Sequence, residues 1–111
     1  MKKLENLLSN LIREYASFFK ISYAILYQPY KEKNPLLILR FSIIEPEEKL
    51  RLLLDFTTIL PLISIDVYDI QSLPNDIKQL VFRHGKVIYL EDHNVYLEDF
   101  KHIVRISTTS S

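Results

Sequence analysis

Few residues of this sequence could do chemistry, and Asp66 is the most telling of them. It sits in the run Ile65-Asp66-Val67-Tyr68-Asp69-Ile70, whose β-branched and aromatic residues read as a strand. Side chains alternate along a strand, so Ile63, Ile65, Val67 and Asp69 share one side, and Asp66, Tyr68 and Ile70 the other. A carboxylate there is either a functional group aimed into a cleft or a pleat-edge residue facing water. By itself it is a poor ligand set for magnesium, which takes several hard oxygen donors. The histidines, His84, His93 and His102, are spaced to fit no metal-ligand pattern on a single helix. The acidic pairs Glu47/Glu48, Glu91/Asp92 and Glu98/Asp99 are sequence neighbours whose side chains point apart, which suits solvated charge or helix starts better than acid/base work. The absence of cysteine excludes thiolate chemistry, and Gly85, the sole glycine, leaves no phosphate-cradling loop and no nucleophile elbow. Residues 27–33 interleave Tyr27, Tyr30, Lys31 and Lys33 as single-strand binders do, but Glu32 breaks the basic patch, and the stretch reads as an exposed hairpin loop.

These groups must be held by eight elements. Leu4, Leu7, Leu8, Leu11, Ile12 and Tyr15 recur at helical spacing and predict an amphipathic helix over 2–19. Residues 21–27 and the nearly continuous apolar run 36–44, interrupted by Arg40 and Ser42, predict two strands pairing as a hairpin. Pro46, Glu47 and Glu48 open a second helix, proline in its first turn and acids at its positive end, and Pro61 closes it. The strand around Asp66 follows. Ser72 and Pro74 then cap a third helix ending at Gly85, expected as a left-handed C-cap. Residues 87–90 form a fourth strand, and Asn94 caps a last helix. The order is α-β-β-α-β-α-β-α: an α+β fold with a mixed four-stranded sheet and flanking helices, mainly on one face. It is one domain over 1–106 with a disordered polar tail at 107–111.

Composition narrows the function classes. The 111 residues are 48% hydrophobic and 25% charged, enough for one packed core, and 14 basic against 14 acidic residues leave no net charge. That balance argues against general nucleic-acid or membrane-surface binding, which needs a basic excess. The start carries no signal-peptide core and no apolar run reaches membrane-spanning length, so a cytoplasmic protein is expected. One glycine, no cysteine, and many Ile, Leu, Tyr and Lys suit a thermophile.

The element order, the strand Ile65-Asp66-Val67-Tyr68-Asp69-Ile70 and the segment Arg83-His84-Gly85-Lys86-Val87-Ile88-Tyr89-Leu90-Glu91-Asp92 resemble the minimal nucleotidyltransferases, small members of the DNA polymerase β-like superfamily. Members of that family show a strand like VDLVDL followed, after a helix, by RHGKLLYERD. The resemblance implies a nucleotidyltransferase-like fold. In the family a Gly-Ser pair after the first strand holds phosphates, an Asp-x-Asp on the second strand binds magnesium, and a third Asp lies on the next strand. Here Gln28 and Pro29 stand at the Gly-Ser places, and Pro29 offers neither an N–H nor a hydroxyl. The second strand has no carboxylate in any register, and Asp66 matches only the third position. The resemblance thus implies a degenerate member with no catalytic residue, metal or cofactor, acting through protein contact. Since such proteins often accompany a helical HEPN-type ribonuclease in toxin–antitoxin-like pairs, it also implies a HEPN-type partner; a homodimer is the other candidate. Two other readings stay open: an active enzyme with a rearranged site using Asp66 with Glu32 or Asp69, and an unrelated small α+β regulatory module.

The second helix bears on partners. Leu50, Leu53, Leu54 and Thr57 form one apolar face, expected to meet the core. Leu52, Phe56 and Ile59 form another, a candidate protein interface.

Overall fold

The computed structural model describes residues 2–31, 33–43, 45–60 and 65–109. The first helix, α1 (Lys2–Phe19), buries Leu8, Ile12, Ala16 and Phe19, one stripe at three- and four-residue spacing. It ends at Lys20, which takes a left-handed backbone (φ 55°) and turns the chain into β1 (Ile21–Tyr27). The Lys20 carbonyl accepts hydrogen bonds from the backbone and hydroxyl of Ser42, closing this corner against the end of β2 (Leu36–Phe41). The two strands are antiparallel neighbours, registered from Ile21↔Phe41 to Tyr27↔Leu36, as the hairpin pattern predicts. The second strand is shorter than expected, stopping before Ser42, and Ile44 lies outside the described residues.

α2 (Pro46–Ile59) begins with Pro46 and the acidic pair, and returns the chain to β3 (Asp66–Asp69), parallel to β2. A 3-10 turn (Ile70–Ser72) leads to α3 (Asn75–His84), then β4 (Lys86–Leu90) and α4 (His93–Thr109). The sheet order is β3-β2-β1-β4, with β4 antiparallel to β1, so the mixed four-stranded α+β fold expected from the sequence is the fold observed. The stretch that includes Pro61 and Ile63 lies outside the described residues.

Helices cover both faces of the sheet, where mainly one was expected. α1 and α2 pack on Ala24, Leu26, Leu37, Leu39 and Ile88; α3 and α4 pack on Tyr23, Ile25, Tyr27 and Ile38. The cause is β1, buried at all seven positions: a central strand apolar on both sides must be roofed on both sides.

Local corrections have equally plain causes. Asp92, rather than Asn94, caps α4: its carboxylate accepts from the backbone N–H groups of Asn94 and Val95 at 3.1 and 3.2 Å. That helix runs to Thr109. Before α3, Asp69 caps the 3-10 turn and Pro74 precedes the first helical residue, while the Ser72 hydroxyl instead donates to the Asp69 carbonyl. Gly85 has φ −75°, so it is not a left-handed cap; it is needed for space. A Cβ there would lie 2.5 Å from the Val81 carbonyl oxygen and would collide with the Ile25 side chain.

On α2 the core takes the face expected to be an interface, and of the face expected inside only Leu53 packs against it. Leu52 and Phe56 are 4% and 0% exposed and sit in the core, so these two present no surface to a second chain, while half-buried Ile59 packs beside them. Leu50 and Leu54, expected inside, are 57% and 58% exposed. The Lys49–Asp69 ion pair (3.0 Å, side chains 15% and 11% exposed) fixes this rotation by tying α2 to β3 on the Phe56 side. Phe56 in turn meets Phe19 edge-on at 5.3 Å.

Candidate functional site

The family-like position is the end of the sheet where β1 runs into the 28–35 loop and β3 begins. Tyr27 pairs with Leu36, and Leu36 with Asp66, so the loop base and the Asp66 carboxylate lie side by side. The Asp66 N–H donates to the Pro35 carbonyl at 3.2 Å, holding the start of β3 against β2. The loop folds on itself: the Lys33 N–H donates to the Tyr30 carbonyl, and the Gln28 amide reaches the Lys33 carbonyl at 3.5 Å. Tyr30 is 67% exposed at its tip, and Glu32 lies outside the described residues.

Asp66 is exposed, at the first position of an edge strand, and it shares its face of the sheet with Tyr68, Leu36 and Ile38. Alternation sends Asp69 to the opposite face, where it accepts from Lys49 and from the Gln71 N–H, so it does not join Asp66. Among the described residues no group of three or more His, Cys, Asp or Glu side chains is placed to hold a metal. The magnesium that a nucleotidyltransferase fold implies is therefore not matched by these residues: one solvated carboxylate beside two aliphatic side chains is not its donor set. His84 ends α3, His93 starts α4, and His102 stands on α4 beside a cleft of about 150 Å3 shared with Lys78, Gln71 and Asp99.

The strand that would carry carboxylates carries a different polar group. Arg40 on β2 is registered opposite Tyr23 on β1, and both reach one oxygen of Asp99 on α4. The Tyr23 hydroxyl donates at 2.7 Å, and the Arg40 Nε at 2.9 Å while its Nη1 donates to the Phe41 carbonyl. Burial, and then the bond to Asp99, push the Tyr23 phenol well above its ordinary range, so it stays a neutral donor. Phe82, tilted, and Tyr96, edge-on, pack around its ring, and Phe100 packs against both. This constellation anchors α4 to the sheet. The sequence carried two signals for it, a polar tip in each of two apolar strands, but none that named Asp99 as the acceptor.

No family model and no curated protein matches the sequence. Solved structures do. A chain of the toxin–antitoxin complex MntA-HepT aligns with TM-score 0.68 and 14% identity, covering 98% of this chain and 88% of that one. A chain from the complex of a tri-AMPylated Shewanella oneidensis HEPN toxin with its MNT antitoxin aligns with TM-score 0.69 and 14% identity, over 95% and 87%. One from a toxin–antitoxin structure with AMP-PNP gives TM-score 0.66 and 13% identity, over 95% and 87%. The matched chains in the MntA and MNT complexes are the antitoxins, minimal nucleotidyltransferases. At these identities the likeness establishes architecture: the chain has the minimal-nucleotidyltransferase fold.

Proposed function

We propose that this chain is a non-catalytic, nucleotidyltransferase-like binding protein of the cytoplasm, the partner of a HEPN-type toxin in a toxin–antitoxin-like pair. The observation that carries the reading is the composition of the sheet face around Asp66. Leu36 and Ile38 flank it, and Arg40, the remaining residue of β2 on that face, is committed to Asp99. In-line phosphoryl transfer needs metals held by two or three carboxylates on rigid strands, and one exposed carboxylate does not supply that frame. The partner is inferred from the neighbours, which come from complexes with HEPN toxins. Among the described residues no helix is long and apolar enough to cross a membrane, in keeping with this reading.

The test is co-expression of this chain with a candidate HEPN-type protein from the same genome. The two are expected to copurify, and radiolabelled ATP with magnesium is expected to leave label on neither protein. Asp66→Asn should bind the partner as the wild type does. Label transfer by the wild type that disappears in Asp66→Asn would replace this reading with an active enzyme using a rearranged site. The tri-AMPylated toxin in one neighbouring structure makes AMP transfer the activity to assay.

A further inference from the structure

Between α3, α4 and the 3-10 turn lies a cleft of about 150 Å3 that reaches into the second core layer. Its apolar lining is Ile70, Phe82 and Ile103, all buried members of that layer. Space of this size between aliphatic and aromatic side chains takes a molecule about as large as benzene. The cleft lies past the last residue of β3, whereas Asp66 starts that strand, so the two are separate features. Its volume is also below the ~300–1,000 Å3 usual for cofactor and drug-sized sites, which points to a small molecule rather than a nucleotide.

The polar side chains that complete the lining are Gln71, Lys78, Asp99 and His102, and donors dominate among them. Gln71 accepts from Lys49 through its carbonyl oxygen at 3.0 Å, so its NH2 is the group left to offer. The Lys78 ammonium and the His102 imidazole have no hydrogen bond or ion pair among the described residues. Asp99 is the one carboxylate in the lining. Its charge is compensated by Arg40 at 2.9 Å, and Tyr23 draws on the same oxygen. Lys49, which holds Gln71, is likewise compensated, by Asp69 at 3.0 Å. Glu98, one turn before His102 on α4, does not line the cleft. With both ion pairs neutral in sum, the charge left at the cleft is the positive one of Lys78, and a proton taken up by His102 adds to it. An apolar interior under a mouth of donors and one uncompensated ammonium favours a ligand with an apolar body and an anionic head.

We propose that this cleft binds a small apolar monocarboxylate, its ring or branched chain on Ile70, Phe82 and Ile103 and its carboxylate against Lys78. The proposal does not rest on the HEPN-type reading; it adds a ligand that would bridge α3, α4 and the 3-10 turn. The test is NMR of the isotopically labelled full-length chain, titrated with benzoate, benzyl alcohol and benzylamine, one ring with three heads, up to ~20 mM. Benzoate is expected to give saturable shifts at the methyl groups of Ile70 and Ile103 and along Lys78. It is expected to bind at least about fivefold tighter than the alcohol or the amine. Lys78→Met, a change at a half-buried helix position, is expected to weaken benzoate about fivefold and to leave benzyl alcohol as it was. Lys78→Arg should keep the preference for benzoate. The absence of saturable benzoate shifts overturns the proposal, as do shifts centred away from Ile70, Phe82 and Ile103. Tighter binding of benzylamine also overturns it, by showing that Asp99 governs the head group. Equal binding of the three probes, or benzoate affinity unchanged in Lys78→Met, overturns it as well, since the ammonium would then select nothing.

Discussion

Replacing Asp99 by alanine tests whether the polar lock between α4 and the sheet carries stability. One carboxylate oxygen serves both Tyr23 (2.7 Å) and Arg40 (2.9 Å), so the substitution strands two donors at once. Removing one partner of a fully buried ion pair costs about 3–5 kcal/mol. The Arg40 and Asp99 side chains are 16% and 29% exposed, so solvent screens part of this, leaving about 2 kcal/mol. The orphaned Tyr23 hydroxyl adds about 1 kcal/mol, for a loss of about 3 kcal/mol in all. With a urea slope of about 1.5 kcal/mol/M, the unfolding midpoint should fall by about 2 M at unchanged slope. Asp99→Asn keeps an acceptor for Tyr23 but loses the counter-charge, and should cost about 2 kcal/mol. Tyr23→Phe leaves the ion pair intact and should cost about 1 kcal/mol. An Asp99→Ala midpoint within about 0.3 M of wild type would refute the reasoning, because the ion pair would then be no stronger than an exposed surface pair.

Gly85→Ala should destabilise by about 2 kcal/mol or more, although its φ is ordinary, because the new methyl meets the Val81 carbonyl and Ile25. Urea unfolding within about 0.5 kcal/mol of wild type would show that the close approach relaxes freely. On α2, Phe56→Ala should cost about 3–5 kcal/mol and Leu54→Ala less than about 1 kcal/mol, since one is fully buried and the other 58% exposed. The reverse order would put the helix on its other face. Alkaline titration followed by tyrosine absorbance should show Tyr89 ionising late, at about 12, and Tyr23 only with unfolding. Tyr89 is held up by burial first and then by its bond to Glu91, Tyr23 by burial and Asp99. Both folded values lie above the ordinary 10.0, so the unfolded chain releases these protons first as pH rises. Their stabilisation is therefore complete below pH 10.0 and lost upward from there, through about 12 for Tyr89. A urea midpoint unchanged on passing from neutral pH to the alkaline range would contradict this.

Much of the local structure was written in the residues themselves. Apolar spacing in α1, the Pro46-Glu47-Glu48 start of α2, the strand residues of β1 and the alternation separating Asp66 from Asp69 all depend on neighbours in sequence, and all stand in the structure. The missing carboxylates of β2 are equally a property of sequence, since no folding of residues 36–41 can add a donor. What depended on distant partners was not legible there. An apolar stretch such as β1 shows that it is buried but not which helices bury it, so the layering on both faces emerged only with the fold. α2 has two apolar flanks of similar strength, and the helix period cannot choose between them. That choice was made by β3, through Lys49–Asp69, and by Phe19 packing on Phe56. Gly85 announced a special position, but its cause is the approach of Ile25 on another strand rather than its own backbone angle. Asp99 looked like half of a solvated acidic pair; it became the anchor of α4 because Tyr23 and Arg40, 76 and 59 residues away, were brought together by the β1–β2 register. Periodicity reports which residues leave water; which partner each then meets is decided by tertiary packing, where contacts between distant residues compete for the same space.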